Sequence, residues 1–123
     1  MRKSFPVFGL VLGIFSTAAS PALAQAPHSW GEINCSKAKA ADEKAICGAT
    51  DLVQRDSRMS VEYGLLRDFL AMGGRGALMD EQKAWLDRRA VCKADKACLR
   101  KVYDERIVAL ETGLDRVKTF GPF

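Results

Sequence analysis

Four cysteines and one histidine are the side chains of this 123-residue chain best suited to metal or thiol chemistry, and their spacing narrows what they do. The cysteines fall in two close pairs, Cys35-x11-Cys47 and Cys92-x5-Cys98, the second inside the stretch VCKADKACL. Neither pair has the C-x-x-C spacing of a zinc knuckle or a thioredoxin-like redox centre, and no βαβ pattern adjoins them. His28 stands upstream of both, in a stretch that reads as irregular. No metal set and no cofactor motif is read. An even number of cysteines in a short exported chain points instead to disulfides, so their role turns on where the protein goes.

The N-terminus answers that. Arg2 and Lys3 form a basic head, an apolar run follows from Phe5 to about Ala19, and Ala22 and Ala24 supply the A-x-A pattern of a signal-peptidase site. The run is shorter than the roughly 20 residues of a spanning helix, and Ser20 and Pro21 interrupt it. Residues 1–24 are therefore expected to be a signal peptide cut after Ala24, with cleavage after Ala26 the nearby alternative. The product is expected in the periplasm or outside the cell, with no membrane insertion after cleavage. Losing Arg2 and Lys3 leaves 17 basic against 15 acidic residues, a net charge of +2. Charges of both signs are interspersed and no basic block appears, which argues against a nucleic-acid partner.

Chemistry beyond the cysteines is thin. Ser36, Ser57 and Ser60 lack a nucleophile-elbow context. The GGRG at Gly73–Gly76 lacks the lysine and spacing of a phosphate loop. The reading is of a non-enzyme.

The positioning elements are helical. Residues 25–34 read as an extended leader, and Ala41 to Cys47 as a short helix ended by Gly48. A second helix is expected from an N-cap at Thr50 or Asp51, with Leu52, Met59, Tyr63, Leu66 and Leu70 on one stripe, stopped by Gly73 and Gly74. A third carries Leu78, Trp85, Leu86 and Cys92. A fourth carries Leu99, Val102, Tyr103, Ile107 and Leu110, with Gly113 expected as its C-cap and Leu114 as the hydrophobic follower. Residues 117–123 read as a tail whose Phe120 and Phe123 fold back onto the core. No alternating pattern suggests a strand. The expected fold is all-α: a small disulfide-stapled bundle of one short helix and three longer antiparallel ones.

Three charges sit on the apolar stripes. Asp56 lies between Leu52 and Met59, Arg89 between Trp85 and Cys92, and Arg106 between Tyr103 and Leu110. Buried charges require partners, so one expectation is a structural polar network in which Asp56 pairs with Arg89 or Arg106, Glu43 being a further acid. The alternative is that both arginines extend to water from the stripe's rim.

The motifs E-x-A-I-C at Glu43–Cys47, Q-x-x-W-L at Gln82–Leu86 and C-L-x-x-x-Y-x-x-R-I at Cys98–Ile107, with the four cysteines in register, resemble the LprI-like lysozyme inhibitor family of exported bacterial proteins. The resemblance spans about Cys35 to Leu110, within an expected domain of residues 35–116. Departures fall at helix starts: Ala40-Ala41 replaces a usual Thr-Pro, Thr50 stands where a proline is common, and Arg55 where a leucine is. The resemblance implies a small secreted or periplasmic helical domain and, for some members, inhibition of lysozyme by occlusion of its cleft. A partner-binding candidate is Arg75, a cation between glycines on an expected turn that could reach catalytic carboxylates; the alternative is a solvated arginine in a connector. The rival functions are an envelope interaction domain without a lysozyme target and, more remotely, an enzyme acting on cell-wall material. The partner and the oligomeric state are not legible.

The spacing in VCKADKACL constrains the backbone. In one continuous helix Cys92 and Cys98 would be about 9 Å apart along the axis, beyond the roughly 7 Å that a disulfide spans. A bond between them requires a break, for which Asp95 is the expected cap of the following helix. Cys35–Cys47 would then clamp the short helix; crossed pairings such as Cys35–Cys92 stay open.

Overall fold

In the computed structural model, residues 32–120 are described. The expected signal peptide and its cleavage point, His28, most of the leader and Phe123 lie outside them. A single 3-10 turn, Cys35–Lys37, precedes four helices: α1 (Ala41–Cys47), α2 (Thr50–Phe69), α3 (Met72–Val91) and α4 (Lys96–Lys118). Both disulfides pair within the halves of the chain, Cys35–Cys47 and Cys92–Cys98, with Cα separations of 5.6 and 5.5 Å. The described residues form a small all-α, disulfide-stapled bundle.

The buried positions explain the helices. On α2 they are Leu52, Asp56, Met59, Tyr63 and Leu66; on α3 and its C-cap they are Leu78, Gln82, Trp85, Arg89 and Cys92. Both sets follow alternating steps of four and three, the seam one helix presents to another. α4 buries Leu99, Tyr103, Ile107, Leu110 and Val117 on a matching stripe. Cross-contacts give the directions. Asp56 meets Tyr103 and Arg55 meets Asp104, while farther along Arg58 meets Glu111 and Leu66 meets Gly113. Numbers rise together, so α2 and α4 run parallel. Arg106 meets Gln82, whereas Trp85 meets Val102, so α3 runs against α4. Consecutive long helices are antiparallel, as expected, and the principal pairing is that of the first and third of them.

Several helix ends differ from the expectation. α2 starts at Thr50 with Ala49 as N-cap and no side-chain cap, so neither Thr50 nor Asp51 caps it. Gly73 and Gly74 do not stop α2: Leu70 and Ala71 make the whole turn, and GGRG is the start of α3. Gly113 does not end α4 but lies within it, and the helix continues through Val117 to Lys118. A Cβ at Gly113 would lie 2.6 Å from Leu66 Cδ2, so the bare backbone lets α2 approach α4. The domain consequently extends past residue 116. Phe120 is 82% exposed rather than folded onto the core.

The break between the second pair of cysteines is as the spacing requires. α3 ends at Val91, Lys93 takes a positive φ of 50°, and the Asp95 carboxylate accepts from the Ala97 and Cys98 N–H groups at 2.9 and 3.1 Å.

Candidate functional site

The short helix α1 is far below the length at which a helix persists alone, so its attachments matter. Cys47 ties it to the 3-10 turn, and Ile46 is fully buried. Its start lacks a capping side chain at Ala40, but the Glu43 carboxylate reaches back and accepts from the Lys39 and Ala40 N–H groups at 2.8 and 3.1 Å. Those two backbone bonds hold the Glu43 carboxyl below its usual range. Glu43 therefore is not the acid of the buried network. Its neighbour Asp42 is: Asp42 Oδ2 accepts from Arg89 Nε at 3.0 Å, with the two side chains only 5% and 8% exposed. Arg89 also lies over the Trp85 ring, 5.6 Å from its centre.

Asp56, Arg89 and Arg106 all point inward, so the arginines do not reach for water. The expected partnership is nevertheless wrong, because Asp56 pairs directly with neither arginine. Its two oxygens accept from the Tyr103 hydroxyl and the Ile33 N–H, both at 2.7 Å. Tyr103 packs edge-on against Trp85, whose indole N–H donates to the Val102 carbonyl at 3.0 Å. Arg106 Nε donates to Gln82 Oε1 at 3.0 Å, and its Nη1 meets Glu81 Oε2 at 3.4 Å. The polar core thus has three parts: Asp56 with Tyr103 and Ile33, Asp42 with Arg89, and Arg106 with Gln82 and Glu81. Arg89 is near enough to act on both Asp56 and Tyr103, which links the first two. Asp56 fastens the end of the leader to α2 and α4, and Asp42–Arg89 fastens α1 to α3.

Burial pushes the Asp56 carboxyl above its ordinary value of 3.8; the bonds from Ile33 and Tyr103 and the charge of Arg89 oppose this, while Glu32 adds to it. Burial and the Asp56 carboxylate hold the Tyr103 phenol well above its usual range. In the window above 3.8, the folded state binds more protons at Asp56 than the unfolded chain, so this group's contribution to stability falls as pH rises through that window. Asp56→Asn cannot ionise there. The stability of wild type relative to Asp56→Asn should therefore decline as pH rises from about 4 and then level off; urea melts of both proteins across that range check it. An increase in relative stability with pH would contradict the assignment.

The outer face of α2 and α4 carries a ladder of ion pairs. Asp51 bridges Arg55 and Arg100, Arg55 reaches Asp104 at 2.8 Å, and Arg58 bridges Glu62 and Glu111. The Arg100 hydrogen bond chiefly holds the Asp51 carboxyl down. Such exposed pairs stabilise little individually, but together they fix the register of the pair.

Arg75 is not a cation on a protruding loop. It sits in the first turn of α3, and its Nε donates to the Leu70 carbonyl at 2.8 Å, closing the end of α2. Sequence reasoning also missed a groove at the end of the bundle remote from the disulfides. It encloses about 470 Å³ between the end of α2, the start of α3 and the second half of α4, walled chiefly by Leu66, Leu70, Leu78, Leu110, Val117 and Phe120. Met72, 86% exposed, stands at the same end. The signal for the groove lay in small residues at Gly74, Ala77, Ala109 and Gly113, which line it without filling it.

Fold and site together define a stapled helical domain with a buried polar core and, at the end remote from the disulfides, an apolar groove that Arg106 joins to that core. The chain matches no family model, no curated protein and no solved structure. Among the described residues no group of three or more histidine, cysteine, aspartate or glutamate side chains is placed to hold a metal ion.

Proposed function

We propose that the chain is an exported, non-enzymatic binding protein of the lysozyme-inhibitor type, which acts by occluding the lysozyme cleft. The observation that carries the reading is the use of the resembling motifs. Glu43 caps α1, Ile46 is core and Cys47 is stapled. Gln82 and Trp85 are buried and bonded to α4. Cys98, Leu99, Tyr103, Arg106 and Ile107 complete the same interior. The motifs thus serve to hold one scaffold and leave the surface to set the partner. A charge of +2 on the mature chain gives no long-range pull toward a basic lysozyme, so contact is expected to be mainly apolar, and Arg75 is not needed for it.

Calorimetric titration of the mature protein with lysozymes of several classes tests the proposal. A one-to-one complex with at least one class, little weakened by added salt, is expected; no complex with any class would overturn it. The exposed Met72 and Phe120 equally favour a second reading, an envelope interaction domain. That reading would gain if a defined envelope protein bound the open end while lysozyme did not.

A further inference from the structure

The groove at the open end contains a charge that its surroundings do not satisfy. Arg106 lines it, its side chain is only 5% exposed, and its Nη2 is buried without a hydrogen-bond partner. Of the contacts to the other nitrogens, Gln82 is neutral, and Glu81 approaches at 3.4 Å on a side chain 65% exposed. A buried guanidinium normally takes a carboxylate in a close, two-point contact. Among the described residues, the acid at hand, Glu81, is long in reach and mostly in solvent. From Arg106 the groove follows one face of α4 through Ala109, Leu110, Gly113 and Val117 to Phe120. At 1.5 Å per residue, Arg106 to Val117 spans about 16 Å, with the buried Arg106 at one end, the exposed Arg116 on the rim near the other, and mainly apolar walls between them. Its volume of about 470 Å³ falls within the roughly 300–1,000 Å³ of small-molecule sites.

We propose that this groove binds a small carboxylate-headed amphiphile, its head on the Arg106 guanidinium and its apolar tail along α4 toward Phe120. The incoming carboxylate replaces the long contact from Glu81, which swings into solvent. The site is independent of the lysozyme reading, since it uses none of that reading's assumptions about a protein partner.

The test uses decanoate below its micelle-forming concentration, titrated calorimetrically into the mature protein. Saturable one-to-one binding is expected, with decylammonium binding at least tenfold more weakly because its charge meets Arg106. Glu81→Gln, a change at an exposed position, should tighten decanoate several-fold by removing the competing acid. Ala109→Trp, also exposed, should fill the groove and abolish binding. Circular dichroism confirms that both variants are folded. Decylammonium binding as well as decanoate, an affinity unmoved by Glu81→Gln, or undiminished binding to Ala109→Trp would each overturn the proposal. So would failure of decanoate to bind while a short peptide with an apolar, free C-terminal residue does.

Discussion

Reduction of both disulfides is expected to lower the stability of the helical domain by about 5 kcal/mol. The bonds close segments with sequence separations of 12 and 6, for which the chain-entropy relation gives about 3 and about 2 kcal/mol. The total stability of a domain this size is about 5–15 kcal/mol, so the reduced chain stands near its unfolding threshold. The bonds also act on particular elements. Cys35–Cys47 holds α1 to the preceding turn, and Cys92–Cys98 holds the reversal from α3 to α4. Urea denaturation with and without reductant measures the effect. A loss below about 1 kcal/mol would mean that packing alone sustains the bundle.

Asp42→Ala is expected to cost about 3–5 kcal/mol, because it leaves the Arg89 charge buried and unpaired. The geometry gives little escape: Arg89 is 8% exposed, and its Nη1 is already buried without a partner. The same loss is expected of Arg89→Met. The double variant Asp42→Ala, Arg89→Met should cost much less than the sum, since no charge is then stranded. A double-mutant cycle from denaturant melts supplies the coupling. Additive losses would show that the two side chains do not depend on one another.

How these features read from sequence differs by element. The long helices were legible because their apolar residues repeat at helical spacing, and the same repeat marked Asp56, Arg89 and Arg106 as inward-facing. It could not say which acid meets which base, because that depends on how separate helices are rotated against each other. Asp42 was missed because α1 is seven residues long and shows no extended stripe; its one signal was a spacing of four from Ile46, which puts both on one face. The glycines misled for a physical reason. At Gly113 a missing side chain serves a close helix contact, and at GGRG the flexible backbone is held helical by Arg75 binding the end of α2. Local propensity describes neither. The break at Lys93–Asp95 was legible because the reach of a disulfide is a covalent constraint that holds in any surroundings.

Lysis tests the proposed inhibition most directly. Purified mature protein is added in increasing ratio to lysozymes of several classes acting on cell-wall suspensions, and clearing is followed by turbidity. Dose-dependent loss of lysis by at least one class is expected, complete near one equivalent, with no clearing when the protein is incubated alone with cell wall. Undiminished lysis by every class at several-fold excess, or clearing by the protein itself, would contradict it.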